Sequence, residues 1–248
     1  MTSAEAHLLL IIATFMLAGT VKGVTGLGLP TVAMGLLSLS MPPVEAAALL
    51  LVPSFVTNVW QLLSGPRFWD LLRRLWGMML GILIGTVAGA GLIAGGASHL
   101  TTPALGAALA LYGMIGLFKA RLTIPSRAES WAGPLVGLAT GVVTGATGVF
   151  VIPAVPYLGS LGLERDDLVQ ALGLSFTVST VALAAGLASH HALPGMAAGS
   201  SLLALGPALA GMLLGGWIRT RVKPETFRTI FFIGLVLLGG ELVWRGIG

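Results

Sequence analysis

The sequence predicts an all-α polytopic membrane protein made of two inverted repeats, each opening with a broken or re-entrant helix unit followed by three transmembrane helices. Three observations predict it. Of the 248 residues, 56% are hydrophobic and 9% charged, against about 25% charged in a soluble domain. Two apolar stretches are interrupted by clusters of Gly and Thr with no loop charges, at Gly23 to Gly28 and at Thr144 to Gly148. The basic loops of the two halves also fall at different places in an otherwise repeated pattern.

The apolar segments run roughly over 6–22, 28–41, 46–64, 75–95, 103–118, 131–143, 148–160, 168–189, 196–218 and 227–244. Several are near the 20 residues that span hydrocarbon. Nearly the whole chain therefore lies in the lipid bilayer, with no separate soluble domain. The N-terminal run has no Lys or Arg ahead of it, so a cleaved signal peptide is not expected. The net charge of +4 reads as membrane topology and excludes a nucleic-acid partner. With no cysteine, disulfides, thiolate metal sites and cysteine nucleophiles are excluded. No cofactor or metal is expected, and the chain lacks HExxH, GxSxG and a pair of mid-membrane aspartates, so an intramembrane enzyme is not expected either.

The repeat shows in the residues. "VTG" at Val24–Gly26 recurs at Val143–Gly145, and Glu45 and Glu164 follow at the same distance. "GILIG" at Gly81–Gly85 parallels "GMLLG" at Gly211–Gly215, and Lys119 and Arg245 follow Gly113 and Gly239 alike. The halves are 1–122 and 128–248, joined by a cytoplasmic linker at 123–127. Four plain crossings per half would put the basic loops on opposite sides, against the positive-inside rule. A broken first unit, either a re-entrant hairpin or two short crossings, gives each half an odd net number of crossings. The N- and C-termini then lie outside. Arg67, Arg73, Arg74, Lys119, Arg121, Arg127, Arg165, Arg219, Arg221, Lys223 and Arg228 lie inside, leaving Arg245 and Lys22 as exceptions.

Lys22 is the residue that points to chemistry. It stands in "GTVKGVTGLGLP", within an apolar run, where a cation costs several kcal/mol and is a functional-site hypothesis by default. Broken helices at membrane depth occur where protein or a water-filled cavity covers them, and their N-terminal ends favour anions. The candidate site combines the charge of Lys22, backbone around Gly23, Gly26 and Gly145, and the hydroxyls of Thr25, Thr144 and Thr147. In "SFVTNVWQ", Ser54, Asn58 and Gln61 share one helix face, which makes Asn58 and Gln61 polar walls. The counterpart "SFTVST" offers Ser175, Ser179 and either Thr177 or Thr180; interhelical hydrogen bonds are the bland expectation for these, and Ser175 joins the candidate substrate-binding set. Gly77, Gly81, Gly85 and Gly89 form a small-residue ridge for helix contact, and such ridges permit a homodimer. Pro207 matches Gly77 and implies a kink. Glu241 and Arg245 are placed to pair.

"GTVKGVTGLGLP" followed by "VPSFVTNVWQLL", with the second Gly-rich copy "GLATGVVTGATGVFVIPAV", resembles the TauE/SafE family of sulfite and organosulfonate exporters. The likeness covers essentially the full chain, and "KGVTGLG" and "TNVWQ" are its most specific parts. The resemblance implies transport of a small sulfur-containing anion, sulfite or an organosulfonate such as sulfoacetate, across a bacterial inner membrane, commonly outward. The first copy departs from the second in lacking a proline equivalent to Pro153, since Pro30 sits closer to its break. Import of another anion, or a channel, would meet the same cationic site. No Asp, Glu or His is placed at the midplane, so proton coupling is not implied. Moving one negative charge outward through about 100 mV yields about 2.3 kcal/mol, roughly a 50-fold gradient, so uniport suffices.

Overall fold

The computed structural model describes residues 3–96, 98–118, 123–193, 197–221 and 224–247, and among these every regular element is a helix. Ten helices follow in order: α1 (Ser3–Thr25), α2 (Leu29–Leu37), α3 (Pro43–Leu63), α4 (Phe68–Ala94), α5 (Ser98–Phe118), α6 (Ser126–Thr147), α7 (Ala154–Ser160), α8 (Arg165–Ser189), α9 (Ala197–Arg219) and α10 (Pro224–Ile247). Seven of them, α1, α3, α4, α5, α8, α9 and α10, are long and apolar enough to cross a membrane. At about 1.5 Å per residue, α2 and α7 are too short to cross. α6 has 22 residues but is less apolar.

Both breaks fall later in the chain than the sequence predicts. α1 stays helical through Gly23 to Thr25, and α6 through Thr144 to Thr147. Only Gly26 to Gly28 leaves the helix in the first unit, and residues 148–153 in the second. The reason is that the last threonine turns its hydroxyl back along the helix, Thr25 to the Val21 carbonyl at 2.8 Å and Thr147 to the Val143 carbonyl at 2.6 Å. Each then accepts an N–H two residues on, from Leu27 at 3.1 Å and Val149 at 3.3 Å. The glycine that follows takes positive φ, Gly26 at 77° and Gly148 at 71°, a region where only glycine sits without strain. This shared cap pairs Thr25 with Thr147, Gly23 with Gly145 and Lys22 with Thr144. The "VTG" match is thus out of register by three residues.

Glycines decide which helices pair. A methyl added to Gly81, Gly85 or Gly89 would overlap α6 backbone at Pro134, Leu138 and Val142, and one on Gly137, Gly141 or Gly145 would overlap α4. Gly19 and Gly23 lie against Ala208 and Met212 of α9, and Gly211 and Gly215 against Met16 and Thr20 of α1. Close backbone approach through small residues is how helices associate when lipid removes the hydrophobic drive. Both ridges are therefore used within the chain, and neither carries an argument for a dimer. α9 continues through Pro207, as α3 does through Pro53.

These contacts also fix direction. Residue numbers rise together along α1 and α9, and along α4 and α6. They run oppositely along α5 and α10, where Gly106 meets Gly239 and Gly113 meets Phe232. α3 and α8 are likewise opposed, joined through Asn58 to Thr180 and Gln61 to Val169. α4 and α8 are parallel, from Arg67 beside Gln170 to Ala90 beside Gly186. Tracing the short connections, α1 and α3 point one way, and α6 and α8 the other. α2 and α7 carry the chain back between them.

One end of the bundle gathers the charges. Arg67 pairs with Asp167 at 2.9 Å, and Arg74 with Glu129 at 2.7 Å. Arg73, Arg127, Arg165, Arg219, Arg221 and Arg228 belong to the same end, whereas Lys119, Arg121 and Lys223 lie outside the described residues. All six tryptophans are exposed, and Trp60, Trp69, Trp76, Trp131 and Trp217 lie toward this basic end, the placement of an aromatic interface belt. At the opposite end Glu241 and Arg245 form the expected pair.

Candidate functional site

Lys22 occupies the last turn of α1 and is 4% exposed, within a core of apolar side chains. Close packing of Gly19 and Gly23 onto α9 holds this turn inside the bundle. The Lys22 Nζ donates to Asn58 Oδ1. Asn58 is fully buried on α3 and donates through Nδ2 to Thr180 Oγ1 at 3.3 Å, and Thr180 in turn donates to the Phe176 carbonyl at 2.7 Å. Each donor in this chain points away from the lysine. An ammonium carries three N–H donors, and among the described residues Asn58 takes one and no carboxylate pairs with the lysine. The arrangement is a buried lysine amine held by one neutral amide, with N–H donors to spare.

The other predicted site residues divide into three groups. Thr25, Thr144 and Thr147 are committed to backbone: Thr144 Oγ1 lies 2.8 Å from the Thr140 carbonyl and 3.2 Å from that of Val149, and the other two make the caps described above. Gly23 and Gly145 are contact points for α9 and α4, while Gly26 turns the chain at positive φ with open space beside it. Gln61 bonds through Nε2 to the Val169 carbonyl at 3.0 Å and so joins α3 to α8, leaving its Oε1 buried without a partner.

Ser54, Ser175 and Ser179 are fully buried, and none of their hydroxyls has a hydrogen-bond partner. The expected interhelical bonds are not made. A buried polar group left so costs about 1–3 kcal/mol, which favours a water or ligand as partner. Ser54 lies one turn before Asn58 on the same face of α3. Ser175 and Ser179 share the face of α8 that continues to Gly186, which meets α4 at Ala90. Phe176, between them in the chain, lies against Phe150 at a ring separation of 6.4 Å.

Two features escaped sequence reasoning. Thr31, in the first turn of α2, is fully buried and unpartnered; its place just after Pro30 was the available signal. Met34 of α2 packs against Gly148, so the first short helix reaches the second break. Gly28 caps α2 in the left-handed region with no side-chain bond, and the first N–H groups of that helix have no intrahelical partner.

The family described as sulfite exporter TauE/SafE matches residues 11–242. The chain belongs to the TauE/SafE family. TauE/SafE proteins are membrane transporters, and the seven apolar helices agree with that. No curated protein and no solved structure matches the chain.

Proposed function

We propose that the protein exports a small sulfur oxyanion, sulfite or an organosulfonate such as sulfoacetate, across a bacterial inner membrane. The observation that carries this reading is Lys22: an ammonium buried in apolar surroundings, with Asn58 as its neutral partner and donors left for an anion. A cation held at membrane depth stays uncompensated only at a cost, and a transient anion offsets it. Asn58 orients the ammonium without neutralising it. Ser54, one turn away with a free hydroxyl, supplies a further donor, and the first turn of α2 supplies backbone N–H groups.

The halves are read as inverted repeats, each a full-length arm and a short arm followed by three crossing helices. The opposite directions of α1 and α6, and of α3 and α8, support that reading, as does the shared Thr–Gly cap. The basic, tryptophan-rich end is cytoplasmic, because arginine-rich loops stay inside, and both termini lie outside. Transport between repeats around a midplane site is the mechanism such architectures use. Outward movement of an anion down the membrane potential needs no coupling proton.

The test is flux in proteoliposomes loaded with sulfite, sulfoacetate, taurine or acetate, with an inside-negative potential imposed by valinomycin and potassium. Saturable efflux of a sulfur anion that slows when the potential is collapsed is expected. Efflux of acetate alone, or none, would remove the substrate reading. Flux that never saturates would make the protein a channel.

A further inference from the structure

We propose that Arg74 and Arg245 are positioning residues, two clamps that fix the outer ends of the short helices α7 and α2 at opposite ends of the bundle. The geometry is repeated from different parts of the chain. Arg74, on α4, reaches both carboxylate oxygens of Glu129 at 2.9 and 2.7 Å, and its Nη2 donates to the Leu161 carbonyl at 3.2 Å. Arg245, on α10, donates through Nε to Glu241 at 2.6 Å and through Nη1 to the Leu39 carbonyl at 3.2 Å. Leu161 directly follows α7, and Leu39 lies two residues beyond the end of α2.

Leu39 and Leu161 stand at equal distances after Thr25 and Thr147, so the clamped carbonyls are equivalent in the register set by the caps. The arginines are not equivalent. One comes from α4 and the other from α10, and each clamp crosses between halves: Arg74 of the first half holds α7 of the second, and Arg245 of the second half holds α2 of the first. The last carbonyls of a helix lack intrahelical partners and favour a cation. A guanidinium can meet a carboxylate and a carbonyl at once because its five donors form a fixed fork. In each case the glutamate orients the fork and the carbonyl receives the remaining donor. α2 and α7 are the arms that return the chain from each break, so releasing one outer end frees one arm while the other stays held.

The absence of cysteine makes the test direct. Single reporters Ser160→Cys, beside Leu161, and Ser38→Cys, beside Leu39, are introduced in the full chain in proteoliposomes, and maleimide labelling is timed. Arg74→Gln is expected to speed labelling of the Ser160→Cys reporter about tenfold, the change a lost charge-assisted bond produces, with labelling at the Ser38→Cys reporter unchanged. Arg245→Gln is expected to do the reverse, more weakly, because its ion pair is more exposed and exposed pairs contribute little. Glu129→Gln, which leaves the guanidinium but unfixes it, should reproduce part of the Arg74→Gln effect, and Arg74→Lys should restore only part of the protection. Labelling that stays slow at the released end, or rises equally at both ends, would overturn the proposal. These readouts do not depend on what is transported. Reduced maximal flux with unchanged half-saturation in Arg74→Gln would extend the clamp to the export reading, on which that second readout rests.

Discussion

The two breaks are closed by the same chemistry and furnished differently. Thr25–Gly26 and Thr147–Gly148 end their helices with the same hydroxyl, the same accepted N–H and the same positive φ. One helical turn earlier the first arm carries Lys22 and the second carries Thr144, whose hydroxyl is spent on backbone. Around the first arm stands an amide that holds the lysine; on α8 stand Ser175 and Ser179, buried and unpartnered. The two caps share their construction, and a single lysine sets the first apart. On the proposed export reading, the anion binds asymmetrically, on the first arm.

The largest expected effect comes from moving or removing that asymmetry. Lys22→Gln should lower sulfite affinity at least about 30-fold, since hydrogen bonds to a charged group are worth about 1.5–3 kcal/mol and a full charge is lost as well. Thr144→Val should change affinity less than about threefold, because its hydroxyl serves only the backbone. Equal losses would break the comparison. Titration of both purified variants with sulfite decides it.

Asn58 sharpens the same contrast. Asn58→Asp places a carboxylate against Lys22 and should abolish anion binding as fully as Lys22→Gln, while Asn58→Leu, which leaves the cation, should cost only about tenfold. A milder loss in Asn58→Asp than in Asn58→Leu would mean that the amide matters more than the charge. Next in size are the helix contacts. Gly85→Val on α4 and Gly211→Val on α9 should each destabilise by about 1–3 kcal/mol, the cost of overpacking, read as a lower melting temperature in detergent. A difference between the two would show that the α4–α6 and α1–α9 pairs are not equally tight. The smallest effect is expected from the caps. Thr25→Val and Thr147→Val should each lose about 0.5–1.5 kcal/mol, and their similarity is the point to measure.

Much of the fold was legible because lipid imposes strong rules: too few charges to cover a water-facing surface, and apolar runs of spanning length. The Gly and Thr clusters marked the ends of α1 and α6, but a turn too early. A threonine inside an apolar run reads as a helix breaker, whereas here its hydroxyl satisfies the i−4 carbonyl and keeps Gly23 and Gly145 helical. The two "VTG" copies stand three residues out of step with the caps, which use Thr–Gly at 25–26 and 147–148. A small-residue ridge announces close approach without naming the partner, so Gly81 and Gly85 did not reveal α6. Lys22 and Asn58 were both singled out, but their contact spans 36 positions in the chain and nothing local encodes it. The clamps were hidden for the same reason, because Leu39 and Leu161 contribute carbonyls, which every residue has.

The most direct measurement is sulfite binding to the purified protein and to Lys22→Gln, each shown to be folded by its melting temperature. Binding to the unaltered protein and its loss in a stable Lys22→Gln is the predicted result. Binding that survives in Lys22→Gln would contradict it, and would make the buried lysine a structural partner of Asn58 with the anion held elsewhere.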